Sequence, residues 1–351
     1  MAAICVVVFH LSIVGAADYM PAGNLAVDLF FALSGFVIAH SYGSRPHLGA
    51  QEFITVRAIR LLPLSILGLL LGLSYFLARL VIQGQSQYSA LDAIAGTAFN
   101  LFLLPKPWMS AAPTDTTFPV NTPLWSLSFQ FIINIVWVML FRNARPRQIL
   151  AAAVVGACAL AVAIRYHGHA DLGATWPTFI GGGIRCLYAF LLGLLIHAYC
   201  PRGILPWWTT LVVMAGTIGL CTVSLTTGQE IVAVVAVMPA LFAVAVMSEQ
   251  RSFSALARLG DASFALYVIH VPVLMIVVGA AKMLRIEQLT SRYALLLVPV
   301  MLVCSYAIHR YFDEPVRARL KALAAWRPAS RTGNAAPSMK NGPARGHSGR
   351  S

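Results

Sequence analysis

The chain has 351 residues, 59% hydrophobic and only 11% charged, with a mean hydropathy of +0.76. That balance excludes a pair of soluble domains and makes the chain a polytopic membrane protein. The formal charge of +13 would suggest nucleic acid in a soluble protein, but the Lys and Arg lie between apolar runs and at the chain's end, where attraction to anionic headgroups accounts for them; no nucleic-acid partner is expected.

The first apolar run, residues 2–17, holds a single histidine, His10. No basic stretch precedes it and no small-residue cleavage site follows, so it reads as a retained membrane helix. A crossing helix needs about 20 mostly apolar residues. Further runs of that kind lie at 24–43, 57–82, 122–142, 148–166, 178–200, 205–225, 229–248, 263–284 and 292–313. The predicted fold is therefore an all-α membrane bundle of about ten transmembrane helices. An eleventh stretch, AIAGTAFNLFLLP near 93–105, is short and ends in proline; it is expected to be re-entrant or interfacial.

Arginine placement sets the predicted sidedness, because cytoplasmic loops keep Lys and Arg. With the N-terminus inside, the inside loops carry Arg45 and Arg57, then Arg142, Arg145 and Arg147, then Arg202, then Arg251 and Arg258. The outside loops at 18–23, 83–90, 167–177 and 226–228 carry none, and Lys282, Arg285 and Arg292 dissent. Both termini are expected in the cytoplasm. The six cysteines lie in or beside apolar runs without metal-ligand spacing and read as core residues. From about residue 328 the composition turns to Pro, Gly, Ser, Asn and Arg, so 328–351 is expected to be a disordered basic cytoplasmic tail. No internal repeat emerges, which disfavours inverted-repeat transporters.

Ionisable groups at membrane depth cost about 2.5–3.5 kcal/mol on insertion scales and are functional candidates by default. His10 suits a general base, or else a neutral imidazole bonded to a backbone carbonyl. Asp28 and Arg185, each near the outer end of its span, either orient a ligand or neutralise one another. Arg57 and Arg60 lie one turn apart on one helical face and either hold phosphate bidentately or anchor the helix at the cytoplasmic surface. Trp125, Ser126 and Gln130 form an outer-leaflet wall, unless Trp125 belongs to the interfacial aromatic belt. Tyr267 and His270 share a face, where a structural polar contact is the favoured role. Glu314 is expected to pair with a nearby arginine. His167 and His169 are too few for a metal site, and the glycines at 181–183 read as close helix packing; no metal is expected.

Five segments, in order, resemble the acyltransferase 3 family of membrane-embedded O-acyltransferases that modify carbohydrates: AAICVVVFHL with NLAVDLFFALSGFVIA; FITVRAIRLLPL; NTPLWSLSFQF; GGGIRCLYAFLLGLLI; and LGDASFALYVIHVPV with YFDEPVRARL. The resemblance covers residues 1–320, taken as one membrane acyltransferase domain. It implies an enzyme of the bacterial inner membrane that moves an acyl group, acetyl above all, from cytosolic acyl-CoA to a cell-surface or lipid-linked carbohydrate. His10 would be the base or a transient acyl carrier, and Arg57 and Arg60 would hold the donor. Asp28, Trp125, Ser126, Gln130, Arg185, Tyr267, His270 and Glu314 would bind the acceptor or support the site, with Arg185 or Trp125 facing the oxyanion. No permanently bound cofactor is implied, acyl-CoA being a substrate.

Two features depart from the family pattern. Gln130 stands where the family usually has glutamate, so it cannot carry charge or act as a base. The family's arginine or lysine eleven residues before the histidine would fall just before Met1, so either the first methionine is internal or that residue is lost. The rival expectations are a small-anion transporter or channel and a catalytically impaired member of the family.

Overall fold

The computed structural model describes residues 1–43, 49–83, 90–107, 115–249, 254–286 and 291–325. Arg45, Arg251, the side chain of Arg292 and the tail at 328–351 lie outside the described residues. Among those described there is no strand beyond two isolated bridges, Thr116 with Thr175 and Leu205 with Ser248.

The helices in chain order are α1 (Ala2–Phe9), α2 (Ala26–Tyr42), α3 (Ala50–Gln83), α4 (Ala90–Asn100), α5 (Leu124–Val136), α6 (Pro146–His167), α7 (Trp176–Tyr199), α8 (Thr209–Cys221), α9 (Thr227–Val232), α10 (Met238–Met247), α11 (Ser254–Met283), α12 (Ser291–Ile308) and α13 (Glu314–Ala325). Eight stretches are long and apolar enough to cross a membrane, namely Gly23–Tyr42, Ala50–Ile82, Leu124–Phe141, Pro146–His167, Trp176–Tyr199, Thr227–Met247, Arg258–Met283 and Tyr293–Ala324; Ala2–Val14 and Thr209–Cys221 are shorter apolar helices. Run for run these answer to the predicted spans, and α4 is the short eleventh stretch.

Two predicted spans are shorter than their apolar runs. The first tightens into a 3-10 turn at His10–Val14 and stops at Gly15, whose left-handed backbone (φ 79°) lets its N–H close on the Ser12 carbonyl. By helical rise His10 lies about 12 Å from the start of this shortened helix and about 8 Å from its end, near its middle. In the run at 205–225, Pro206 disfavours helix for the residue before it, and Leu205 instead bonds Met247 and Glu249 through its backbone.

The centre of the bundle is the contact between α2 and α7. A Cβ on Gly35 would overlap the carbonyl of Phe190, and one on Gly193 would overlap that of Ala32, so the two backbones touch as small residues allow in membranes. An ion pair fastens the same two helices: Arg185 Nε and Nη2 donate to the two carboxylate oxygens of Asp28, each at 2.8 Å. Arg185 also donates from Nη2 to the Asn24 carbonyl at 2.8 Å and from Nη1 to the Ala170 carbonyl at 2.9 Å. The side chain is fully buried. One guanidinium therefore ties α7 to α2, to the turn before α2 and to the loop between α6 and α7.

That loop is part of a cap. Thr117 N–H donates to the Ala174 carbonyl, Trp176 N–H to that of Asp115 and Lys106 N–H to that of Thr117, so segments far apart in sequence close one end of the bundle. Lys106, 3% exposed, is buried in this cap. On the other side of α2, helices α3 and α11 pack together, α5 lies against α3 and α7, and α13 returns onto α3.

Removing one partner of a buried pair leaves an uncompensated charge, at a cost of about 3–5 kcal/mol, whereas replacing both by apolar residues is often nearly neutral. Asp28→Ala is thus expected to lower the thermal midpoint of the detergent-solubilised protein markedly, and Asp28→Ala with Arg185→Met to recover much of the loss. A single variant that melts with the wild type would show that the pair does not hold the bundle.

Candidate functional site

Between α2, α3, α5 and α11 lies a cavity of about 170 Å³. Its walls are mostly apolar, from Phe30, Phe31, Val37, Leu127 and Phe264, and its polar groups gather at two levels. Arg57 and Arg60 from the first turns of α3 stand at one end. Ser126 from the first turn of α5 and Tyr267 from the middle of α11 stand at the other, with Ser34, Gln130 and Asn134 between.

The polar wall is hydrogen-bonded within itself. The Ser126 hydroxyl and the Tyr267 phenol lie 2.6 Å apart, and both reach the Pro123 carbonyl, at 3.0 Å and 3.4 Å, so whichever hydroxyl donates to that carbonyl accepts from the other. Gln130 donates from its amide to Ser34 and, at 3.5 Å, to Asn134 Oδ1. An amide serves those two acceptors without a proton change, whereas an ionised carboxylate at this position could only accept.

Behind Tyr267 stand the two imidazoles. His270 Nδ1 lies 2.6 Å from the Tyr267 carbonyl; a carbonyl only accepts, so that nitrogen carries the hydrogen and Nε2 carries the lone pair. His10 Nδ1 lies 2.8 Å from the Val6 carbonyl and 3.3 Å from His270 Nε2. One N–H on His10 Nδ1 satisfies both acceptors, so the basic nitrogen of His10 is Nε2. Among the described residues Nε2 has no hydrogen-bond partner. The two rings meet edge to face at 4.9 Å; His270 is fully buried and His10 half-buried. Asp171, exposed in the loop between α6 and α7, extends its field to His10, Arg185 and Tyr267.

Of the residues singled out in the sequence, Arg57, Arg60, Ser126, Gln130 and Tyr267 line the cavity. His270 and His10 follow in line behind Tyr267, outside the cavity itself. Asp28 and Arg185 are bound to one another, and four hydrogen bonds occupy Arg185. Trp125 is neither wall nor interfacial belt: it is 6% exposed, packed between Phe31 and Phe129 with ring centroids at 6.2 Å to each, and a Cβ on Gly173 would strike its ring. Neither residue expected to face an oxyanion therefore reaches the cavity. Glu314 is exposed and bonded to Arg310 at 2.6 Å. His167 and His169 have ring centroids 6.4 Å apart, and among the described residues no group of three potential metal ligands forms.

Sequence reasoning missed Ser34, Asn134 and Phe30, because nothing in an apolar helix marks which of its residues faces a cavity. It also missed Arg317 and Lys321, which join Arg57 and Arg60 around a second cavity of about 160 Å³. Their four-residue spacing in PVRARLKAL was the available signal.

The profile of a family described as an acyltransferase domain matches residues 1–310. Protein 2 in the picA locus of Rhizobium radiobacter is 35% identical over 149 residues, 40% of this chain and 77% of that protein. Acyltransferase MdmB of Streptomyces mycarofaciens is 26% identical over 280 residues, 71% of this chain and 67% of that protein. No solved structure matches significantly.

The hydrogen bonds fix the imidazole tautomers, and nitrogen-15 spectra of ring-labelled histidine read them directly. His10 and His270 are both expected as neutral rings protonated at Nδ1. His270→Phe is expected to leave His10 in that tautomer, because Val6 still accepts. A His10 signal typical of Nε2 protonation would refute the assignment of the basic nitrogen.

Proposed function

The chain belongs to the acyltransferase 3 family and is a membrane acyltransferase; on that premise we propose that it transfers an acyl group, acetyl in the first instance, from cytosolic acyl-CoA to a hydroxyl of a cell-surface or lipid-linked carbohydrate. The observation that carries this reading is the succession of contacts from Arg57 and Arg60 through the apolar cavity to the Ser126 and Tyr267 hydroxyls and on to His270 and His10. Guanidinium forks suit phosphate, an apolar channel suits a pantetheine arm, and an imidazole with a free nitrogen suits proton abstraction from an alcohol.

The arginine end is assigned to the cytosol. Phe53 and Trp137 pack with ring centroids at 5.1 Å, which sets the start of α3 beside the end of α5 and the Arg142, Arg145 and Arg147 that follow it. Arg202 meets His40 at the end of α2 at 3.2 Å. A concentration of arginine at one end is the mark of a cytoplasmic face.

In the proposed reaction the acceptor oxygen attacks the thioester carbonyl as its proton passes to His10 Nε2. The tetrahedral intermediate places negative charge on the former carbonyl oxygen, where the Tyr267 phenol, turned from Ser126, is proposed as the donor among the polar groups that line the cavity. Collapse breaks the carbon–sulfur bond, the thiolate takes the proton back from the imidazolium, and the products are an ester and free coenzyme A. Tyr267 stands between cavity and imidazoles, so the same movement opens the way between donor and base.

Gln130 favours a second reading, a catalytically impaired member, because a family carboxylate is absent. One assay separates the two. Purified protein with radiolabelled acetyl-CoA is expected to release or transfer label, His10→Ala to lower kcat by about 10²–10⁴-fold, and Arg57→Ala to act mainly on the KM for donor. Gln130→Glu is expected to change kcat by less than about tenfold. If only the glutamate variant turns over, the impaired reading holds; if no variant consumes acetyl-CoA, that donor is wrong.

A further inference from the structure

Helix α13 lies beyond residue 310, where the family match ends. Arg317 and Lys321, four residues apart on one face, line a cavity of about 160 Å³ together with Arg57, Arg60, Ser41 and Tyr42. Val37, Arg57 and Arg60 line this cavity and the acyl cavity alike, so the two adjoin through the arginine pair.

Three guanidiniums and an ammonium around one small space repel each other, and Arg60 and Arg317 act directly on one another as like charges. The nearby acids Asp313, Asp261 and Glu314 are one fewer than the four cations, and Glu314 is bonded to Arg310. Asp313 Oδ2 accepts from Arg317 Nη1 at 2.8 Å and faces His309 Nδ1 at 3.2 Å, while Asp261 acts on Arg60 from a distance. Arg57 is 7% exposed, stacked near Tyr42 and Phe53 with its guanidinium carbon 5.7 and 5.8 Å from the ring centroids. Its buried Nε has no acceptor among the described residues. A buried donor without an acceptor is costly, and one beside two further arginines matches a multiply charged oxyanion.

We propose that α13 is part of the donor site, with Arg317 and Lys321 binding the phosphate groups whose acyl-bearing arm enters past Arg57 and Arg60. This rests on the acyl-CoA reading above. A single lipid phosphate would engage one or two of the four cations and has no reason to sit at the mouth of the acyl cavity. A donor with several phosphates joined to an acyl arm uses both features. Asp313, bonded to Arg317 and to His309 of the preceding turn, fixes the guanidinium relative to the last long span.

The test is calorimetric binding to the full chain in lipid nanodiscs, comparing coenzyme A with pantetheine, which lacks phosphate. Arg317→Gln with Lys321→Gln is expected to weaken coenzyme A binding by about tenfold or more and to leave pantetheine binding unchanged. Arg317→Lys with Lys321→Arg, which keeps the charge, is expected to retain most of the affinity, so a general folding defect is distinguishable. If the double glutamine variant binds coenzyme A like the wild type while Arg57→Ala does not, α13 is no part of the donor site and the proposed function survives. If the variant's defect appears only with phosphatidylglycerol and vanishes in phosphatidylcholine, a lipid headgroup is the occupant and the inference fails. If the wild type binds inorganic pyrophosphate through Arg317 but never coenzyme A, the anion site is real and the donor reading falls with the proposal.

Discussion

The structure depends on one buried ion pair at a backbone-to-backbone helix contact. Asp28 and Arg185 could not each be buried alone, since an isolated charge in an apolar interior is prohibitively costly; together they close four hydrogen bonds among α2, α7, the turn before α2 and the cap loop. Gly35 and Gly193 let the two helices approach until backbone meets backbone. With α2 held this firmly on one side, its other side presents Phe30, Ser34 and Val37 to the cavity, and the position of that wall is set by a pair that does not itself touch it.

The cavity is arranged by cost. Arginine is tolerated where it reaches the bundle's basic end, apolar side chains occupy the depth, and hydroxyls and amides appear where they bond one another. Ser126 with Tyr267, and Gln130 with Ser34 and Asn134, are neutral partnerships that satisfy polar atoms without burying charge. Gln130 fits this pattern as a hydrogen-bond donor.

The imidazole pair completes the line. Backbone carbonyls of Val6 and Tyr267 take the hydrogens of both rings and so decide which nitrogen of His10 is basic. Such local carbonyls do for these rings what a carboxylate does in many histidine sites. His10 meets His270 at 3.3 Å, and Tyr267 stands between this pair and the cavity, so α11 carries both the cavity wall and the second imidazole.

Much of this was determined by the sequence itself. Apolar run length gave the ten helices and the short eleventh, since the bilayer thickness demands a fixed number of residues. The order of five segments gave the family, and its motifs singled out Arg57, Arg60, Ser126, Gln130 and Tyr267, which the fold brings to one cavity. The tertiary structure alone decided how the remaining polar groups were used. Asp28 and Arg185 were equally compatible with a ligand or with each other until 157 residues of separation closed to 2.8 Å. Trp125 was legible as an outer-end aromatic, but only packing against Phe31 and Phe129 placed it inside. The pairing of Arg317 and Lys321 with Arg57 and Arg60 joins the last helix to the third, a long-range contact that no local pattern encodes; apolar periodicity specifies which residues leave water, and partner choice among the polar ones depends on which helices meet.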